Sequence, residues 1–215
     1  MMTGIFITFE GPDGAGKTTQ LTLLADYLRQ QGHVVRLTRE PGGTPLSDKI
    51  RTLLLDPSHS EMDARTEALL YMASRAQHVA EVIEPGLVRG EVILCDRFAD
   101  STVVYQGAAR RLAKQELLAI NRFATGGLTP SLTILLDCDT RLLTDRRKDR
   151  GGQDRIEQEA ECFHDKVRQG FLDLAEAEPE RIKLVSAKGS VNDVHDVIVN
   201  LVEEFLRRRG KREDK

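Results

Sequence analysis

The chain has 215 residues, of which 40% are hydrophobic and 30% charged, with a formal net charge of −3 and no tryptophan. That is enough for one domain with a substantial core. The slight negative charge excludes a global field for nucleic acid or an anionic surface, and no apolar run reaches the length of a membrane span.

The first apolar run, Gly4–Glu10, leads directly into Gly11-Pro12-Asp13-Gly14-Ala15-Gly16-Lys17-Thr18 and then an amphipathic stretch carrying Leu21, Leu24, Ala25 and Leu28. Strand, G-x-x-x-x-G-K-T and helix in that order form the context of a phosphate-binding loop, here Gly11 to Thr19. The glycines let the backbone curl until its N–H groups point at phosphate oxygens, and the helix adds the positive end of its dipole. Lys17 can reach the β- and γ-phosphates, and the Thr18 hydroxyl can ligate Mg²⁺. The chain is therefore expected to handle a nucleoside triphosphate.

A second run, Val34–Thr38, leads into Arg39-Glu40-Pro41-Gly42-Gly43-Thr44. Next comes a helical stripe of Leu69, Leu70, Ala73, Ala76, Val79, Ala80 and Ile83, within which Tyr71 and Arg75 stand at i and i+4 on one face. Taken alone, that pair reads as a core aromatic and a surface charge. A third run, Val92–Cys95, ends in Asp96-Arg97-Phe98. A carboxylate there either caps a turn or holds Mg²⁺ through water; Arg97 beside it can grip a second phosphate, which favours the second reading. A simple ATPase or GTPase has no need of such a clamp, whereas a kinase that phosphorylates a phosphate does.

Leu117, Leu118 and Ile120 mark another helix, and a fourth run, Leu132–Asp137, precedes a basic segment with Arg146, Arg147, Lys148 and Arg150. A fifth run, Lys183–Ser186, precedes a last helix with Val194, Val197, Ile198, Leu201 and Phe205. Basic residues from Arg207 onward read as a solvated helix end or frayed tail. The five runs lack clean alternation, as strands buried on both faces do. Strands alternating with helices give an α/β, doubly wound parallel sheet in a single domain over 1–215, with ligands gathered beyond the carboxyl ends of the strands.

Cys95, Cys138 and Cys162 are widely spaced and form no C-x-x-C pair, which suits buried, reduced thiols and no zinc site. With no stretch resembling a signal peptide, a cytoplasmic location is expected. The function classes that compete are another nucleotide or deoxynucleoside kinase of the same fold, a nucleotide-driven protein switch, and a nucleic-acid-binding ATPase. The chain lacks an Asn-Lys-x-Asp guanine motif and a basic, aromatic-rich face, which disfavours the last two.

Glu10 through Thr19, Thr38 through Thr44, Asp96-Arg97-Phe98 and Ser101-Thr102-Val103-Val104-Tyr105-Gln106-Gly107, in that order, resemble bacterial thymidylate kinases. The resemblance implies a three-layer P-loop fold, with a five-stranded parallel sheet flanked by helices and a mobile lid at about 146–157. It implies Mg²⁺-dependent transfer of the γ-phosphate of ATP to dTMP, in the supply of dTTP. It further implies that Arg39 and Arg97 hold the dTMP phosphate and that Asp13 accepts from the sugar 3′-hydroxyl. Tyr71 would stack on thymine, Arg75 reach its O4, and Thr102 and Gln106 bond the pyrimidine edge. Tyr105 would crowd the 2′ position, and Arg51 line the pocket. Some relatives carry a catalytic arginine just after the loop aspartate. Here that position is Gly14, so the arginine is expected from the lid, with Arg146, Arg150 and Arg155 as candidates beside Lys17 and Arg97. Relatives are usually homodimers, and the helix of Tyr71 and Arg75 offers a face. No nucleic acid or membrane partner is expected.

Overall fold

The computed structural model describes residues 4–138 and 154–213. Five strands form one parallel sheet in the order β2-β3-β1-β4-β5: β1 (Ile5–Glu10), β2 (Val35–Arg39), β3 (Val92–Asp96), β4 (Leu132–Asp137) and β5 (Ile182–Ser186). Each matches an expected apolar run to within one residue at either end. Helix α1 (Lys17–Gln30) follows the phosphate loop, α2 (Pro45–Leu55) follows β2, and α3 (Ala64–His78) continues through a π turn, Val79–Ile83, into α4 (Glu84–Val88). After β3 come α5 (Ala99–Thr102), a second π segment (Val103–Ala109) and α6 (Lys114–Thr125). α7 (Glu161–Ala177) precedes β5, and α8 (Val191–Glu213) ends the described chain.

The pleat sorts side chains into two packed layers. Ile7, Phe9, Val92, Leu94, Leu132, Ile134 and Leu136 face Leu24 and Leu28 of α1 and Val194, Ile198 and Val202 of α8. On the other side Phe6, Ile93 and Cys95 meet Val79, Ile83 and Leu87, while Leu135 and Ile182 meet Val167, Phe171 and Leu174 of α7. Central strands buried on both faces explain why their sequences do not alternate. β2 and β5 depart from that expectation: they are the edge strands, and Leu37 and Leu184 are exposed. Cys95 and Cys138 are buried as expected, whereas Cys162 is exposed at the start of α7.

Parallel strands put all their carboxyl ends at one edge, so Glu10, Arg39, Asp96 and Asp137 emerge together with the loops that follow them. The turn out of β1 is tight. Gly11 has φ 131°, and a Cβ there would lie 2.3 Å from the carbonyl oxygen of Leu136, so only glycine lets the loop leave the sheet at this angle.

The helix carrying Tyr71 and Arg75 divides its apolar residues between two faces. Ala68, Met72, Val79 and Ile83 are buried, while Leu69, Ala73 and Ala80 are exposed, Leu69 at 60%.

Candidate active site

Two cavities open at the carboxyl edge of the sheet. A larger groove is lined by Gly14, Gly16, Lys17, Thr18 and Thr19 of the phosphate loop, by Arg36 to Glu40 and by Asp96. A smaller cavity of about 550 Å³ is lined by Tyr71, Arg75, Phe98, Ser101, Thr102, Tyr105 and Gln106. Asp13, Glu40, Arg51, Arg97 and Asp154 line both.

Lys17 arches over its own loop. Its ammonium donates to the carbonyls of Gly11 (3.0 Å) and Pro12 (2.8 Å) and lies 3.9 Å from Asp13. Ala15 is buried beneath the loop. Burial and the neighbouring Arg97 lower the Lys17 pKa to about 8. Thr18 donates to Asp96 at 2.7 Å. This hydroxyl and carboxylate, at the edge of the groove, are hard oxygen donors of the kind Mg²⁺ takes beside substrate phosphates. Among the described residues there is no cluster of three or more potential protein ligands, so phosphate and water oxygens would have to complete the coordination.

Arg97 joins the two cavities. It donates to Asp13 at 2.6 Å and to Ser101 Oγ at 3.1 Å, and its guanidinium lies 5.1 Å from the centre of the Tyr105 ring. Those two bonds use two of the five guanidinium N–H groups, which leaves three for an anion. Burial pushes the Asp13 carboxyl up, but Arg97 and Lys17 more than offset it and hold it well below the usual carboxylate range. Tyr105 also donates to Asp13, at 3.2 Å. Arg51 donates to the Pro41 carbonyl, and burial together with the repulsion of Arg39 lowers its pKa. Arg39 is exposed, pairs with Asp48 and lines the larger groove but not the smaller cavity. Three guanidinium groups thus approach the junction.

In the smaller cavity Arg75 is held from all sides. It donates to Glu40 (2.7 Å), Thr102 (2.9 Å), Asn121 (2.6 Å) and the Phe98 carbonyl (3.0 Å), which leaves one N–H of the terminal nitrogen that bonds Phe98. Glu40 is held in turn by the fully buried His78, at 3.0 Å. Sequence reasoning did not single out Glu40, His78 or Asn121. Glu40 was visible inside the Arg39-to-Thr44 segment, but no local signal marks Asn121, which comes from α6.

Glu10 supports Arg97. Its carboxylate accepts from the Phe98 amide (2.8 Å), the Ser101 amide (3.3 Å) and the Ser101 hydroxyl (2.6 Å). Burial and then Asp100 raise its pKa to about 7, against the opposing pull of Arg97.

Arg155 differs from its expected place over the donor triphosphate. It is buried, donates to Glu67 at 2.6 Å and to the Leu54 carbonyl at 2.8 Å, and lines neither cavity. Glu67, buried in α3, gives it an opposite charge away from the groove. Arg146 and Arg150, with most of the expected lid, lie outside the described residues.

Residues 9–198 match the model of a family described as thymidylate kinase. The chain belongs to the thymidylate kinase family. It is 52% identical to the thymidylate kinase of Pseudomonas syringae pv. tomato over 205 residues, covering 95% of this chain and 98% of that one. It is 52% identical to the thymidylate kinase of Deinococcus radiodurans over 204 residues, covering 95% and 98%. The crystal structure of thymidylate kinase from Ehrlichia chaffeensis superposes with a TM-score of 0.74 at 33% identity, covering 93% of this chain and 98% of that one. Phosphorylation of dTMP to dTDP with ATP is the reaction of this family, and the chain is a nucleotide kinase.

Lys17 yields a test of the phosphate loop. With its pKa near 8 against 10.5 in the unfolded chain, Lys17 is half protonated at pH 8, and its burial penalty is relieved as pH rises from 8 to 10.5. A polyphosphate on the loop restores the charged form, so ATP binding at pH 8 should take up roughly half a proton. Calorimetry in two buffers of different ionisation enthalpy measures this uptake, which Lys17→Met should remove. Uptake that survives in the variant would assign it to another group.

Proposed function

We propose that transfer to dTMP takes place where the two cavities meet. ATP lies in the larger groove with its phosphates in the loop Gly11 to Thr19, and dTMP enters the smaller cavity. The observation that carries this reading is that the two cavities share Asp13, Glu40, Arg51, Arg97 and Asp154, with Arg51 and Arg97 as the cations among them. An acceptor phosphate beside Arg97 meets the loop lysine across one ion pair, Arg97–Asp13, with Arg39 and Arg51 as further positive charge. The base goes to Tyr71, Arg75, Thr102 and Gln106, and the sugar to Asp13 and Tyr105, which are already bonded to each other.

Thr18 and Asp96 would hold Mg²⁺, which would supply charge neutralisation for the bound triphosphate. The attacking oxygen belongs to an ionised phosphate, so no general base is required. Lys17 and the arginines stabilise charge as it spreads over the transferring group, and the cavity walls align donor and acceptor. The cytoplasm is the proposed place of action.

Arg97→Ala tests the junction. Loss of a charge-assisted bidentate contact costs about 1.5–3 kcal/mol, and misplacement of the acceptor adds to that. Turnover of dTMP should fall at least about 100-fold, with ATP affinity nearly unchanged. Equal weakening of both substrates would move Arg97 to the donor side.

We assign the arginine that completes the donor site to Arg146 or Arg150, because Arg155 is held by Glu67. Replacing Arg146 and Arg150 together by alanine should lower kcat by roughly 10³-fold or more, with little change in dTMP affinity. Wild-type turnover in that double variant would rule out both.

We further propose a homodimer through α3 and the π turn that continues it, supported by the exposed Leu69, Ala73 and Ala80. Light scattering should give twice the chain mass, and Leu69→Glu with Ala73→Glu should give the chain mass. A monomeric wild type would remove the proposal.

A further inference from the structure

Glu67 lies in the first turn of α3, one turn before Tyr71, and is 1% exposed. It lines neither cavity. Its carboxylate accepts from Gln106 Nε2 at 2.8 Å, from two nitrogens of Arg110 at 3.2 Å each, and from Arg155 at 2.6 Å. Burial pushes this carboxyl up, but the hydrogen bonds from Arg110 and Gln106 bring it below its ordinary value. It is therefore ionised, and an ionised carboxylate only accepts.

That fixes a choice a glutamine otherwise leaves open. A free Gln106 could turn either end of its amide toward the cavity it lines. With Nε2 committed to Glu67, the amide oxygen faces away from the carboxylate and makes no hydrogen bond among the described residues. Arg75 has the opposite polarity. Fixed by Glu40, Thr102, Asn121 and Phe98, it has one remaining N–H and can only donate. The smaller cavity thus presents one set acceptor and one set donor.

The edge of thymine has an N3–H donor beside the O4 acceptor. The edge of cytosine reverses both, with an N3 acceptor beside an amino donor. We infer that Glu67 is a specificity-determining positioning residue. By holding the Gln106 amide with its oxygen toward the cavity, it admits a 4-keto pyrimidine carrying N3–H and rejects a 4-amino pyrimidine. Arg110 and Arg155 serve this by keeping Glu67 charged. The inference rests on the smaller cavity being the site of the dTMP base.

The test is the ratio of kcat/KM for dTMP to that for dCMP. In Glu67→Gln the neighbouring amide can accept or donate, so Gln106 can turn over, and the ratio should fall at least about tenfold. Damage to packing alone lowers both activities and leaves the ratio in place. A folded Glu67→Gln protein with the wild-type ratio overturns the inference. Adding Glu67→Gln to a Gln106→Met chain should leave the ratio of that chain unchanged, since the amide on which Glu67 acts is gone. An equal fall in that background overturns it as well. If Glu67→Gln does not fold for want of a charged partner for Arg155, Gln106→Met alone decides. It leaves the Glu67 ion pairs intact, and a wild-type ratio in it overturns the inference. Failure of the underlying reading shows elsewhere: Tyr71→Ala with an unchanged KM for dTMP would mean that the base does not bind in this cavity.

Discussion

Arg97 stands in the left-handed region, with φ 69°, where a long side chain costs on the order of 1–3 kcal/mol. Its own amide is tied to the Phe9 carbonyl at 2.9 Å, and the amides of Phe98 and Ser101 are held by the buried Glu10. β1 and β3 lie side by side in the sheet, so Glu10 at the end of one strand can grasp the chain leaving the other. This grip turns the Arg97 side chain toward Asp13 and puts one cation at the boundary of two cavities. The arrangement of donor and acceptor sites follows from that turn.

Arg75 and Arg97, which line the smaller cavity beside Phe98, differ in how far the protein already holds them. Arg75 spends four of its five N–H groups on protein acceptors, so it is rigid and keeps one for a ligand. Arg97 spends two and keeps three, which suits the grip on a phosphate proposed for it. The same contrast holds for the carboxylates. Glu67 is surrounded by donors and lines neither cavity, whereas Glu40, Asp13 and Asp96 stand at the cavity walls.

Much of the frame was legible along the chain. The five runs gave the five strands because central parallel strands carry a continuous apolar signal. Other elements went unread although their signals were present. α2 begins with Thr44 as its cap, bonded to the Ser47 amide, and Pro45 in its first turn. α7 carries Phe163, Val167, Phe171 and Leu174 at helical spacing. Of the two π segments, Val79–Ile83 was read as part of the helical stripe of Tyr71 and Arg75, whereas Val103–Ala109 left no helical pattern, since a widened turn breaks the 3.6-residue period that marks a helix.

By itself the sequence determined the phosphate loop, the sheet and the residues that approach its carboxyl edge, because loop chemistry and strand burial are written in contiguous stretches. Tertiary structure alone decided which partners each arginine meets. Arg155 lies in a basic stretch that reads as a cover for ATP, yet the fold brings it against Glu67, 88 positions away. Asn121 and Glu40, far apart in the chain, meet on the guanidinium of Arg75. A buried charge is settled by whichever opposite charge the packing places beside it, and that neighbour is not written next to it in the chain.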